Sequence, residues 1–231
     1  HFFLAQYFRN NYDAALLRYP YINNNIQITR LEVWVTNRTN QTNNVRNIAA
    51  FQDLGESDII GLDAIPPGFV NVGGNAFPDN GNNDFDPTNI GGSGSQLTQQ
   101  VRDITTVEQG ITPAANEGFD FGKLENAKKL IEGTDYIMHQ QLGYISLNQR
   151  LLNDEVLAVA FQYTVGGQVF QVGEFANDGV NATDVSTDGT TGNKVVNNNN
   201  LILKMLKSAI TSVDEPIWDL MMKNIYDTGA Y

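Results

Sequence analysis

Hydrophobic and polar residues alternate along Leu31-Glu32-Val33-Trp34-Val35-Thr36. This pattern predicts a β-strand with Leu31, Val33 and Val35 on one face. Upstream, Ile26 and Ile28 occupy even-numbered positions, so the apolar phase slips at Thr29-Arg30. A one-residue slip would turn half the strand inside out unless a β-bulge or bend absorbs it. An Asn- and Thr-rich turn at 37–44 leads to a second apolar run at 45–54, a second strand. Before these strands, Phe8, Tyr12, Ala15, Leu16 and Tyr19 fall at helical spacing. The predicted helix starts near Ala5 and stops before Pro20.

Further along, Leu97, Val101, Ile104 and Glu108 have helical spacing, although Thr105-Thr106-Val107 favours strand; a helix is the expectation. Leu124, Ala127, Leu130 and Ile131 make an apolar stripe that predicts a helix over 123–132, with Gly133 at its C′ position. Strands are predicted at 136–138, 143–147 and 154–165. In the last, both the odd and the even positions are apolar for part of the length, as in a strand covered on both sides. Gly166-Gly167 then predicts a tight hairpin into 168–175. Residues 201–206 read as a buried strand or short helix. Asp214-Glu215-Pro216 opens a predicted helix whose face is Ile217, Leu220, Met221, Asn224 and Ile225, ended by Gly229. Residues 57–95 and 176–200 are rich in Gly, Asn, Asp and Thr and read as long loops.

These elements predict an α+β fold dominated by antiparallel strands, with a β-sandwich as one arrangement and short flanking helices. A division into two lobes near residue 95–120 is also expected. Residues 1–95 would be a β-rich lobe with the N-terminal helix and the long Asx-rich loop. Residues 96–231 would be a second α+β lobe with the Gly-Gly hairpin and the C-terminal helix.

Composition removes several functions. The net charge is −12, from 26 acidic and 14 basic residues. That argues against nucleic-acid binding and against docking on anionic lipid. No apolar run is long enough for a membrane helix, and too few alternating strands exist for a barrel wall, so the chain is not expected to span a membrane by itself. There is no cysteine, hence no disulfide, thiolate metal site or cysteine nucleophile. The 28 asparagines, clustered at 23–25 and 197–200, are loop chemistry and suit an extracytoplasmic protein. The chain opens on His1 rather than Met, as expected of a processed protein or a piece of a longer one.

Candidate chemistry is thin. With only His1 and His139, a multi-histidine metal site is implausible, and His139 reads as an ordinary polar residue at a strand end. Carboxylate catalysis survives as an enzyme class: Glu32, Asp53, Glu56, Glu155 and Glu174 could supply a glycosidase pair, and Trp34 could stack on a sugar. Asp79, Asp84 and Asp86, with Asn80 and Asn82, crowd oxygen ligands into one loop, as a structural Ca²⁺ requires; no other cofactor is expected. The pattern is not an EF-hand, and a solvated Asx-rich loop is the plainer reading. Asp178, Asp184 and Asp188 form a second loose cluster. Asn37, Asn40 and Asn181 sit in glycosylation sequons of a kind frequent by chance in an Asn- and Thr-rich chain.

Several segments then combine in one order: 2–12 (FFLAQYFRNNY), 28–38 (ITRLEVWVTNR), 46–56 (RNIAAFQDLGE), 142–150 (LGYISLNQR), 154–163 (DEVLAVAFQY), 171–175 (QVGEF) and 218–226 (WDLMMKNIY). Together they resemble the SprA (Sov) family, the giant outer-membrane translocon of the type IX secretion system, also tied to gliding motility. The resemblance implies a very large transmembrane β-barrel with soluble domains inserted between strands, of which this chain would be one. It implies, as partners, the rest of that barrel, its accessory subunits and secreted cargo, at the bacterial cell envelope on the extracellular or periplasmic face of the outer membrane. It offers no catalytic residues, and it lends the calcium idea no support.

The expectation is therefore a non-enzymatic structural and interaction domain that helps shape or cap the protein-conducting channel. The competing expectation is an extracellular carbohydrate-binding module, or more remotely a glycosidase. Leu31, Val33, Val35, Leu157, Val159 and Phe161 are expected in the core. Trp34, Phe69, Phe77 and Phe85 are candidates for a partner face, because exposed aromatics dominate interface energetics. Ordinary packing under a loop is the alternative for all four.

Overall fold

The computed structural model describes residues 1–54, 56, 97–111, 115–178, 180–223 and 225. Asp79, Asp84, Asp86, Phe69, Phe77 and Phe85 lie outside the described residues.

The chain starts with a short strand, β1 (Phe2–Phe3), and one helix, α1 (Gln6–Leu16). Two long strands follow, β2 (Gln27–Val35) and β3 (Val45–Phe51). After short 3-10 turns at Gln99–Arg102 and Val107–Gly110 come β4 (Phe121–Lys129), β5 (Tyr136–His139) and β6 (Tyr144–Leu147). Next are β7 (Leu157–Val165), β8 (Gln168–Val172), β9 (Thr183–Thr187), β10 (Lys194–Asn198) and β11 (Leu201–Lys207). A 3-10 turn at Pro216–Leu220 follows.

The largest sheet has the order β11-β3-β4-β2-β7-β8, and β11 also pairs with β7. That last pairing closes five of the strands into a ring, a small barrel, because one edge of β7 is shared. Its N-terminal half, Leu157–Val159, pairs with β11, and its C-terminal half, Phe161–Val165, pairs with β8. All contacts round the ring are antiparallel except β3 with β11, which is parallel. The strand-dominated, mostly antiparallel fold predicted from the sequence is what forms, as a closed ring rather than two stacked sheets. Closure removes most free edges, which an open sheet would have to protect.

The expected division near residue 95 does not separate the strands. β2 and β3 come from the first half of the chain, yet β2 lies between β4 and β7 and β3 lies between β4 and β11.

The bulge in β2 sits where the apolar phase slips. Ile28 opposes Tyr163 and Arg30 opposes Gln162, so Thr29 is the extra residue. The bulge brings Ile28 onto the same face as Leu31, Val33 and Val35, opposite Tyr163, Phe161, Val159 and Leu157. This face packs on α1: the Phe8 ring meets Phe161 and Tyr163 edge-on at 6.0 and 5.8 Å. Val33, Leu157, Val159 and Phe161 are fully buried and Val35 nearly so, while Leu31 is half-buried against the core. A second small sheet, β1-β6-β5, adds Phe2, Phe3 and Ile145 to the same core.

Three predicted helices are not α-helices. Leu124 and Ala127 of the stripe at 123–132 lie in strand β4, which ends at Lys129, while Ile131 beyond it is exposed. Opposite the stripe, Arg46 pairs with Ala127 and Ile48 with Leu124, so β4 spends three residues where β3 spends two. That bulge, with Asn126 at φ 48° and its amide bonded to the Asn47 side chain at 2.9 Å, puts Leu124 and Ala127 on one face three apart. An i, i+3 apolar spacing is thus produced by a bulged strand. The 97–108 segment folds as two short 3-10 turns rather than a helix. The segment opened by Pro216 makes only the 3-10 turn Pro216–Leu220, because Met221 and Met222 run extended to pair with Phe2 and His1. Within 176–200, expected as loop, β9 and β10 form an antiparallel hairpin whose strands stay almost wholly exposed.

Candidate functional site

On its second face β2 presents Arg30, Glu32 and Trp34, opposite Gln162, Ala160 and Ala158. The small alanines leave room for the chain that leaves β8. Gly173 passes so close that a Cβ there would lie 3.0 Å from the Val159 carbonyl and 3.2 Å from the Ala160 Cβ.

Charged groups hold this crossing segment. The Glu32 carboxylate accepts the Ala176 amide at 3.1 Å and pairs with Lys129 at 2.7 Å. Arg46 donates to the carbonyls of Ala176 and Val180 at 3.2 and 3.3 Å. Arg30 pairs with Asp178 and lies 3.8 Å over the Phe175 ring. Glu174, 2% exposed at its side chain, takes both Arg102 nitrogens at 2.6 Å and the Ile202 amide at 2.9 Å. Arg102 also bonds the Asn200 carbonyl at 3.0 Å, and the Asn200 side chain bonds the Val101 carbonyl at 2.9 Å. Burial lowers the pKa of Arg46, and the neighbouring Glu174 and Glu32 carboxylates oppose that shift. Both legs of the exposed β9–β10 hairpin are therefore tied to the barrel by this network.

A second buried pair lies at the parallel seam. Lys204 and Glu56, each 1% exposed at the side chain, are 2.6 Å apart. Lys204 also donates to the Gln52 carbonyl, and Glu56 accepts the Leu54 amide at 2.6 Å. Lys204 interrupts the apolar run Leu201–Leu206, and that lone charge is the signal from which its burial could have been anticipated.

The third feature is a cleft of about 760 Å³ near β1, β6 and the end of β11. Its apolar lining includes Phe2, Leu147, Leu206, Ile217, Trp218 and Met221. Its cationic side chains are Arg150 and Lys207. Lys207 uses its ammonium on the carbonyls of Glu155, Asn153 and Ser208 at 2.6, 2.8 and 3.1 Å. Burial lowers its pKa, against the pull of Glu155 and Asp154.

Four of the carboxylates proposed for glycosidase chemistry, Glu32, Glu56, Glu155 and Glu174, are engaged in structural roles. Glu32, Glu56 and Glu174 each bind a cation and a backbone amide, as described above. Glu155 accepts the Leu152 amide at 2.6 Å, and Asp53 is buried beside the seam. Trp34, a candidate for sugar stacking or for a partner face, is 1% exposed and belongs to the core. It packs beside Lys129, whose ammonium is 5.6 Å from the ring. A side chain so enclosed offers no platform to a ligand. The loose Asp cluster also separates: Asp178 binds Arg30, Asp184 the Asn199 amide group, and Asp188 the Thr190 amide and Thr191 hydroxyl. His139 stacks on Tyr144 with ring centroids 4.0 Å apart, and burial lowers its pKa.

A family model described as motility related/secretion protein, SprA_N, matches residues 3–153. The chain belongs to this family. Among curated proteins none matches the chain. The span matched by the SprA_N family includes α1, β2, β3 and β4, three strands of the ring, while β7 and β11 lie beyond it. Among the described residues, no helix is long and apolar enough to cross a membrane.

Proposed function

We propose that the chain is a non-enzymatic structural and interaction domain of a bacterial outer-membrane protein-secretion translocon, one that helps shape or cap the protein-conducting channel. The observation that carries this reading is the match to a motility and secretion family over 3–153. The engagement of Glu32, Glu56 and Glu174 in ion pairs supports the non-enzymatic part. Acids already bonded to cations and amides are poorly placed to exchange protons with a substrate. The partners are then the rest of the barrel, its accessory subunits and passing cargo, in the cell envelope.

Photo-crosslinking in cells tests this. A crosslinking residue at Tyr19 or Val185, 80% and 61% exposed, should capture other secretion subunits or cargo when placed in the whole protein. Capture of none, together with glycan binding by the isolated chain, would replace the reading with a carbohydrate-binding one.

A further inference from the structure

On the reading of the chain as an interaction domain, we propose that the cleft takes an extended peptide segment with apolar side chains and a carboxylate, which Arg150 receives. The volume of about 760 Å³ falls among ligand sites, roughly 300–1,000 Å³. Three observations fix the occupant's chemistry.

The first is the floor. Leu147, Leu206, Ile217 and Met221 give an apolar surface, and flexible Met222 beside them can adapt to different side chains. The second is charge. In a chain of net charge −12, Arg30, Arg38 and Arg102 are each paired with a carboxylate. Arg150 is exposed and has no hydrogen bond or ion pair with any described residue. Lys207, the other cationic side chain of the cleft, already spends its donors on three carbonyls and holds the wall in place. A free guanidinium beside an apolar floor suits a carboxylate, which it can bind through two nitrogens. The third is the backbone. The amides of Gln149, Arg150 and Leu151 on one wall, and of Ala209 and Thr211 on another, bond no described residue. A peptide backbone can engage such walls, whereas a fatty acid would satisfy the floor and Arg150 and leave the amides to water.

Trp218 reports on occupancy. The chain has two tryptophans, and the other, Trp34, is buried away from solvent. The chain is titrated with acetyl-Val-Leu-Phe-Val bearing a free carboxylate, with its C-terminal amide, and with laurate, while Trp218 emission is followed. The free acid should bind and shift the emission. The amide should bind roughly ten- to a hundredfold more weakly, the worth of a hydrogen-bonded charge. Arg150→Ala should reduce the acid to the level of the amide without changing the melting temperature, since Arg150 is exposed. Trp218→Phe should abolish the signal while calorimetry still detects the acid.

Equal binding of acid and amide, an unchanged affinity in Arg150→Ala, no binding of the free acid, or tighter binding of laurate would each overturn the assignment. Cross-links from Tyr19 or Val185 in cells do not pass through this cleft, so failure here would leave the domain's wider role standing.

Discussion

Replacing Arg102 by alanine should strip the barrel of a buried, two-point clamp. Arg102 and Glu174 are 11% and 2% exposed at their side chains and meet through two 2.6 Å contacts. Removing one member of a buried ion pair costs about 3–5 kcal/mol, because the remaining charge keeps its desolvation penalty without its partner. Glu174 would retain the Ile202 amide at 2.9 Å, so the lower end, about 3 kcal/mol, is expected. For a domain of this size that corresponds to roughly 6–12 °C in melting temperature. The loss should be read by urea unfolding followed by circular dichroism, beside Glu174→Ala and the double variant. The double variant should lose less than the sum of the singles by more than about 1 kcal/mol, since the second change removes a charge the first left stranded. Additive losses, or a loss under about 1 kcal/mol in Arg102→Ala, would show that solvent or another cation already satisfies Glu174.

Gly143 and Gly166 both have positive φ, 65° and 57°, but opposite surroundings. A Cβ at Gly143 would lie 2.1 Å from the buried Phe8 ring, so Gly143→Ala should cost more than about 3 kcal/mol in urea melts, from overpacking and backbone strain together. Nothing lies within 4 Å at Gly166, and Gly166→Asn should stay within about 0.5 kcal/mol of the parent. Trp34→Ala should cost about 3–5 kcal/mol by cavity formation, and Trp34→Phe clearly less; an unchanged melting curve in Trp34→Ala would contradict its place in the core. His139 titrates lower when folded than its ordinary 6.5 because burial disfavours its charge. The stability it permits is present above pH 6.5 and lost as pH falls through its folded pKa, so His139→Gln should flatten the acid side of the stability profile.

The sequence disclosed elements wherever local chemistry matched tertiary burial. The β2 bulge was legible because an alternating pattern has only two phases, and Ile28 and Leu31 stood on opposite ones. The Gly166-Gly167 turn was legible because both residues need positive φ. In β4 the same device misled: a bulge at Asn126 put two core residues three apart, the spacing of a helix. Ring closure depends on the pairing of β7 with β11, a contact between distant segments that no local pattern encodes. The site residues divided along similar lines. Glu32 and Glu174 stood out as acids, but their cations Lys129 and Arg102 come from other elements, so sequence spacing could not reveal that the charges cancel. Trp34 looked available because its neighbours on that face, Glu32 and Thr36, are polar; in the fold Glu32 is covered by the chain leaving β8 and Trp34 is buried in the core.

The parallel seam sets side by side residues about 150 positions apart, Ile48 with Leu201 and Phe51 with Lys204. Such a connection orders the domain's assembly in time. As the chain emerges from a ribosome or a translocation pore, β3 waits without its neighbour until β11 has followed. Over that interval the surplus of negative charge opposes association between chains. The barrel is thus a domain that completes itself late, and a stalled or truncated chain is left with the seam open.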